Sequence, residues 1–222
     1  MTAFAPILTR ARKRVGGADS LEGELPAPKS DAELRAVSDD RYLSLMSLRA
    51  FRAGLKHSLV DARWPAFEEV FHRFDPHRVR LMSDEDLERL MGEKRIIRHW
   101  GKIKAVRENA AAVVAIFDAG GSVGAYLADW PATDIIGLWA DLAKRFRQMG
   151  GNSGPYFLRM AGRDTFMFTG DVVRALINAG VVTKKPTTKD ERAAVQAAFN
   201  AWADETGRPL CQLSRILALS VG

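Results

Sequence analysis

The sequence predicts an all-α fold, and three observations carry that expectation. From Ser30 onward, apolar residues recur at three- and four-residue spacing, the period of a helix with one buried face. Helix-start signals stand ahead of these runs, at Ser30, Ser38, Ser83, Thr169 and Thr188. No two segments alternate like paired strands: Val181-Val182-Thr183 is too short, which leaves Thr165-Phe166-Met167-Phe168 as the one strand candidate.

In chain order, residues 1 to 29 read as a flexible leader, with Gly16-Gly17, Pro26 and Pro28 and no sustained periodicity. Residues 30–222 form the helical domain. Ser30-Asp31-Ala32-Glu33 has the form of a capping box. Leu43, Met46, Leu48 and Phe51 follow Ser38 at core-facing spacing, and Trp64, Phe67, Val70, Phe71 and Phe74 give a helix expected to stop at Asp75-Pro76. Ser83 to Asp86 caps a helix carrying Leu87 and Leu90, and helical pattern runs on from Ile96 to Phe117 with an interruption at Trp100-Gly101. Glycines 120 and 121 break it, Leu127 and Trp130 belong to a short helix, and Thr133 opens the next one. Thr169 caps the segment with Val172, Val173, Leu176 and Ile177; Thr188 starts a long helix that Gly207-Arg208-Pro209 ends, and a last helix runs from about Leu210 to Leu219.

With 222 residues, 47% of them hydrophobic and 27% charged, the chain has the composition of a globular protein with a sizeable core. The formal charge is +6, and Lys94 to Arg107 holds six Lys or Arg without one acid. Such a run supplies sequence-independent affinity for DNA; as a solvated helix face it needs no partner. A single cysteine, Cys211, excludes an intrachain disulfide and any multi-cysteine metal site, so no metal and no cofactor is expected. No stretch approaches the roughly 18 apolar residues of a membrane span, and the N-terminus lacks a signal-peptide core. No membrane association and a cytoplasmic, nucleoid-associated location follow as expectations. The arm Thr9 to Arg14 fits either a contact with DNA or disorder.

Function concentrates between Gly150 and Asp171. The helical run from Thr133 to Gln148 ends in Gly150-Gly151-Asn152-Ser153-Gly154, a second short helix follows, and the helix–hairpin–helix spans about residues 134–162. Glycines let the backbone take φ > 0 and approach another chain, and amides opening the second helix can meet a phosphate oxygen. A carboxylate soon after such an anchor can sit against a sugar. The combination suggests an enzyme that grips DNA and breaks an N-glycosidic bond.

Phe51-Arg52-Ala53-Gly54-Leu55, Phe74-Asp75-Pro76, Met82 to Leu90 and Ile96-Ile97-Arg98-His99-Trp100-Gly101-Lys102-Ile103-Lys104-Ala105 together resemble 3-methyladenine DNA glycosylase I, of the helix–hairpin–helix DNA glycosylase superfamily. The likeness covers about residues 40 to 115 well and the hairpin more loosely. It implies two helical lobes with a cleft between them, a pocket for a flipped base and excision of alkylated purines. Carried over by position, the family's base-recognising glutamate falls at Arg49 and its base-stacking aromatic at His57. Its zinc-binding Cys and His set has no counterpart. Gly170-Asp171-Val172-Val173-Arg174, roughly 20 residues past the hairpin glycines, is similar to the superfamily's V-D-x-x-V position.

Base removal passes through an oxocarbenium-like sugar, whose charge a fixed carboxylate stabilises. Asp171 is the catalytic candidate; an aspartate in a first helical turn also complements the helix dipole without catalysis. Candidates for the base pocket are Arg49, Phe51, Arg52, His57 and Trp100. Phe51 at helical spacing is equally a core residue, His57 a surface histidine and Trp100 a plug between helices. Arg49 could pair with an acid such as Asp171, which would tune or silence the site. DNA contacts are assigned to Lys102, Lys104, Gly150, Gly151, Asn152, Ser153 and Gly154. No lysine lies between Lys144 and Lys184, so no hairpin Schiff base is expected. The sequence therefore points to a monofunctional DNA glycosylase of base excision repair. It would act as a monomer on double-stranded DNA with a flipped, alkylated or otherwise modified base. The alternative is a non-catalytic module, derived from a glycosylase, that binds damaged DNA.

Overall fold

The computed structural model describes residues 3–221, and among them the regular structure is helical, with no strand. The chain begins with α1 (Ala5–Val15), α2 (Ala18–Gly23), α3 (Asp31–Ala36), α4 (Asp39–Arg52) and α5 (His57–Asp61). It continues through α6 (Trp64–Val70), α7 (Pro76–Val79), α8 (Asp84–Gly92), α9 (Trp100–Asp118) and α10 (Val123–Asp129). The last five are α11 (Ile135–Arg145), α12 (Ser153–Ala161), α13 (Gly170–Asn178), α14 (Lys189–Thr206) and α15 (Leu210–Leu219).

The helices divide into two compact units. One takes the chain up to Lys29, Trp130–Leu138 and everything from Gly162 onward; the other takes Ser30–Asp129 and Trp139–Ala161.

The first unit corrects the reading of residues 1 to 29 as a flexible leader. They carry α1 and α2, and Phe4, Ile7, Ala11 and Leu21 are buried. Phe4, Ile7 and Ala11 stand three and four residues apart, so one face of α1 is apolar beneath its basic residues, and α1 packs on α15. The Phe4 ring lies 5.4 Å from that of Trp202, and its N–H donates to both carboxylate oxygens of Glu205 at 3.0 Å. Gly16 is the left-handed cap of α1 rather than part of a linker. The 165–168 segment is irregular, not a strand; Thr165 and Phe166 are buried, and the Phe166 ring stacks on Phe199 at 4.1 Å.

In the second unit Phe51, Phe67, Phe71 and Phe74 are fully buried in one aromatic core, on which Trp64 also packs. Here α4 packs against both α9 and α12, and α3 against α10. The α6 helix stops at Val70, short of the expected Asp75. His72, Arg73 and Phe74 turn left-handed, with φ of 53°, 57° and 58°, before Asp75 caps α7 by accepting from the His77 and Arg78 amides. Likewise helix does not run from Ile96. It starts at Trp100, where the His99 ring accepts from the Lys102 amide at 3.3 Å. Four of the five cap signals are realised: Ser30 with Glu33, Ser83 with Asp86 and Thr188 with Glu191 form reciprocal capping boxes, and Thr169 accepts from the Val172 amide, whereas Ser38 stands at the N-cap of α4 without a side-chain cap bond.

Candidate functional site

In the second unit, α11 and α12 are joined by a tight glycine turn. Gly150, Gly151 and Asn152 are exposed, and Gly151 takes φ of +59°. The Ser153 amide donates to the Gly150 carbonyl at 3.1 Å and the Gly154 amide to the Met149 carbonyl at 3.0 Å. The amides of Gly150, Gly151 and Asn152 make no backbone hydrogen bond among the described residues, and those of Gly151 and Asn152, nearest the start of α12, are the ones placed to meet a phosphate. Gly154 is buried with its amide engaged, so its place is in closing the turn, not in a direct DNA contact.

What holds this turn is a residue that sequence reasoning missed. Asn109, 1% exposed on α9, donates from Nδ2 to the Arg147 carbonyl at 3.1 Å and accepts from the Arg147 amide at 2.7 Å through Oδ1. The same two groups of one residue are satisfied by one amide side chain, which pins the end of α11 to α9. The only sequence signal is an asparagine on the apolar face of a helix, flanked by Val106, Ala110 and Val113.

Lys102 is not a phosphate ligand. It is 7% exposed, and its Nζ donates to the carbonyls of Ala53 at 2.8 Å and Phe51 at 3.4 Å, serving the C-terminal end of α4. Burial, with a further push from the Arg49 charge, holds its ammonium below the ordinary lysine range. Lys102→Met should therefore cost about 1–2 kcal/mol of stability, through two deprived carbonyls. Its DNA affinity should keep the wild-type salt slope, which measurement at several ionic strengths would reveal. Lys104→Met, by contrast, should lower that slope by about one unit if its exposed ammonium meets a phosphate. Lys104 is exposed and lies 3.8 Å from Glu108.

Of the pocket candidates, Phe51 is withdrawn from any ligand. It is 0% exposed, with its ring 4.5 Å from Phe67 and 6.4 Å from Trp64, because its place on α4 faces the aromatic core. Arg49, on the same helix, has its guanidinium over the ring of Tyr156 of α12, 4.9 Å from the centroid, and Tyr156 is 38% exposed. The Arg49 Nε is buried without a hydrogen-bond partner. Arg52 pairs with Asp61 at 2.7 Å, His57 opens α5 on the surface, and Trp100 opens α9 at 41% exposure.

Asp171 belongs to the first unit, in the first turn of α13 after the cap Thr169. It is exposed, 3.8 Å from Arg174 one turn on. Elsewhere in the second unit a cavity of about 720 Å³ lies beside the N-terminus of α4, lined in part by Asp39, Asp40, Arg73, His77 and Phe117. Burial raises the Asp39 carboxyl above its usual range, against a 2.8 Å bond from the Val123 amide. No sequence signal marked this place, since the left-handed turn shaping one wall contains no glycine. Among the described residues no group of three His, Cys, Asp or Glu side chains gathers as a metal would require, and no single helix is long and apolar enough to cross a membrane.

The helical units and their glycine hairpin define an all-helical fold of the helix–hairpin–helix DNA glycosylase type. Residues 34–149 match the model of the methyladenine glycosylase family, and the chain belongs to that family. DNA-3-methyladenine glycosylase 1 of Escherichia coli (strain K12) is 34% identical over 91 residues, 41% of this chain and 45% of that relative. The matched stretch thus spans less than half the length of this curated relative. A crystal structure of 3-methyladenine DNA glycosylase I superposes with a TM-score of 0.53 at 26% identity, covering 67% of this chain and 88% of that one. The 8-oxoguanine DNA glycosylase of Methanocaldococcus jannaschii has a TM-score of 0.55 over 95% of this chain and 91% of its own, at 10% identity, a likeness of fold alone.

Proposed function

We propose that this protein is a monofunctional DNA glycosylase that hydrolyses the N-glycosidic bond of an alkylated or otherwise modified base in duplex DNA. It acts as a monomer in base excision repair, at the bacterial nucleoid. The observation that carries the reading is the exposed turn Gly150–Asn152 in a chain of the methyladenine glycosylase family. The Gly151 and Asn152 amides hold a phosphate beside the lesion, with Lys104 adding charge. The nucleotide is extruded, at least cost where pairing is already damaged. As the bond from C1′ to the base nitrogen breaks, positive charge grows on the deoxyribose and Asp171 stabilises it. Water then adds to C1′ and its proton passes to the carboxylate, and on to the nitrogen of the released base where that base left as an anion; an abasic site remains. Arg49, Arg52, His57 and Trp100 border the base.

Incubating the protein with methylated and deaminated duplexes tests this directly. Free base should appear, with abasic sites that break only on later alkali treatment. A protein–DNA adduct trapped by borohydride would refute the monofunctional assignment. Tight, salt-sensitive binding without base release would favour instead a non-catalytic module that marks damaged DNA.

A further inference from the structure

We propose that Arg49 sets the substrate class of this site: it takes a neutral purine presenting two adjacent hydrogen-bond acceptors, the O6/N7 edge of a hypoxanthine-type base, and turns away cationic alkylpurines. The inference rests on the glycosylase reading and narrows it.

Three observations converge on it. First, Arg49 is a cation with unspent hydrogen-bonding capacity, because its buried Nε has no partner and the side chain forms no ion pair among the described residues. The terminal guanidinium nitrogens make no hydrogen bond among the described residues either, so the side chain has donors to offer an acceptor on a ligand. Second, two further cations, Arg52 and Lys102, lie near enough to act on it. Burial lowers the tendency of Arg49 to hold its proton and the charge of Arg52 lowers it further, with only the Tyr156 hydroxyl opposing; the Lys102 ammonium is close enough to feel the Arg49 charge. Third, the guanidinium lies over the ring of a partly exposed Tyr156, 4.9 Å from its centroid, and this contact fixes where its donors sit.

A guanidinium held this way is a fork of donors with no acceptor, and the matching edge on a purine is O6 with N7. Adenine alkylated at N3 offers the opposite: a positive charge, and an amino donor where O6 would be. Unmodified guanine shares the acceptor edge, but it is held by a full pair to cytosine, whereas hypoxanthine opposite thymine is already mispaired and cheaper to extrude.

The test compares excision from otherwise identical duplexes carrying hypoxanthine opposite thymine or 3-methyladenine. Wild-type protein should release hypoxanthine about ten- to a hundredfold faster. Arg49→Gln should erase the preference, and Arg49→Glu should reverse it. Faster release of 3-methyladenine by wild type overturns the proposal while leaving the glycosylase reading intact. If Arg49 grips a phosphate instead, Arg49→Gln will weaken binding to both duplexes alike and leave their ratio unchanged, which also overturns it. If neither base is released, thermal shift with free bases decides this proposal apart from the glycosylase reading, which the wider set of methylated and deaminated duplexes tests. Stabilisation by hypoxanthine but not by 7-methylguanine, lost in Arg49→Gln, supports the acceptor site; no such difference overturns it.

Discussion

Asp171→Asn is expected to reduce base release by about a hundred- to a thousandfold while leaving the affinity for duplex DNA intact. The substitution keeps the shape of the side chain and removes only its charge, so what is lost is the attraction to a sugar that becomes positive in the transition state. Ground-state DNA is already negative, and removing an exposed carboxylate can only ease the approach of phosphates; binding should be unchanged or slightly tighter. The alternative role predicts a different pattern. An aspartate in the first turn of α13, exposed and 3.8 Å from Arg174, supports that helix weakly. If that is its whole contribution, Asp171→Asn will lower Tm a little and leave the excision rate at wild type. Single-turnover rates beside a melting curve separate the two, and a full rate in the variant removes Asp171 from the chemistry without touching the fold assignment.

The local signals in this sequence were legible because their physics is local. Ser30, Ser83 and Thr188 each stand three residues before an acid, and each forms its reciprocal cap. Long-range placement was not so readable. Phe4, Ile7 and Ala11 have the spacing of a buried face, yet the partners that make it buried, Trp202 and Glu205, lie at the far end of the chain. Without them a basic, glycine-punctuated segment looks unstructured. Lys102 misled for a related reason. In the run Lys94 to Arg107 its charge suggests solvent, but on α9 it shares the face of Val106, Asn109 and Val113, and periodicity would have placed it inside. The left-handed turn at His72, Arg73 and Phe74 had no glycine to announce it, and the strain there is held by tertiary contacts such as the Arg41 guanidinium on the Arg73 carbonyl. At the site itself, sequence could name Arg49 but not show that its Nε is buried and unpaired.

Gly154→Val should cost DNA affinity about ten- to a hundredfold, although Gly154 itself faces no solvent. A Cβ at this position would lie 2.9 Å from the Met149 carbonyl oxygen, which is backbone and which the Gly154 amide already holds at 3.0 Å. That oxygen cannot rotate away as a flexible side chain would. The turn must open, and a branched side chain then also crowds Leu142, whose atoms lie 3.7 and 3.8 Å from the same Cβ position. Opening the turn moves the Gly151 and Asn152 amides, whose aim depends on the distance between the end of α11 and the start of α12. A useful contrast lies four residues earlier in the same turn. At Gly150 an added Cβ meets nothing within 4 Å and the backbone is not left-handed, so Gly150→Ala should bind DNA almost as wild type does. Titration of both variants against one labelled duplex at fixed salt gives the comparison. Should Gly154→Val, still folded by circular dichroism, bind as tightly as Gly150→Ala, the hairpin is not what grips the backbone, and the basic surface around Lys104 must supply the affinity instead.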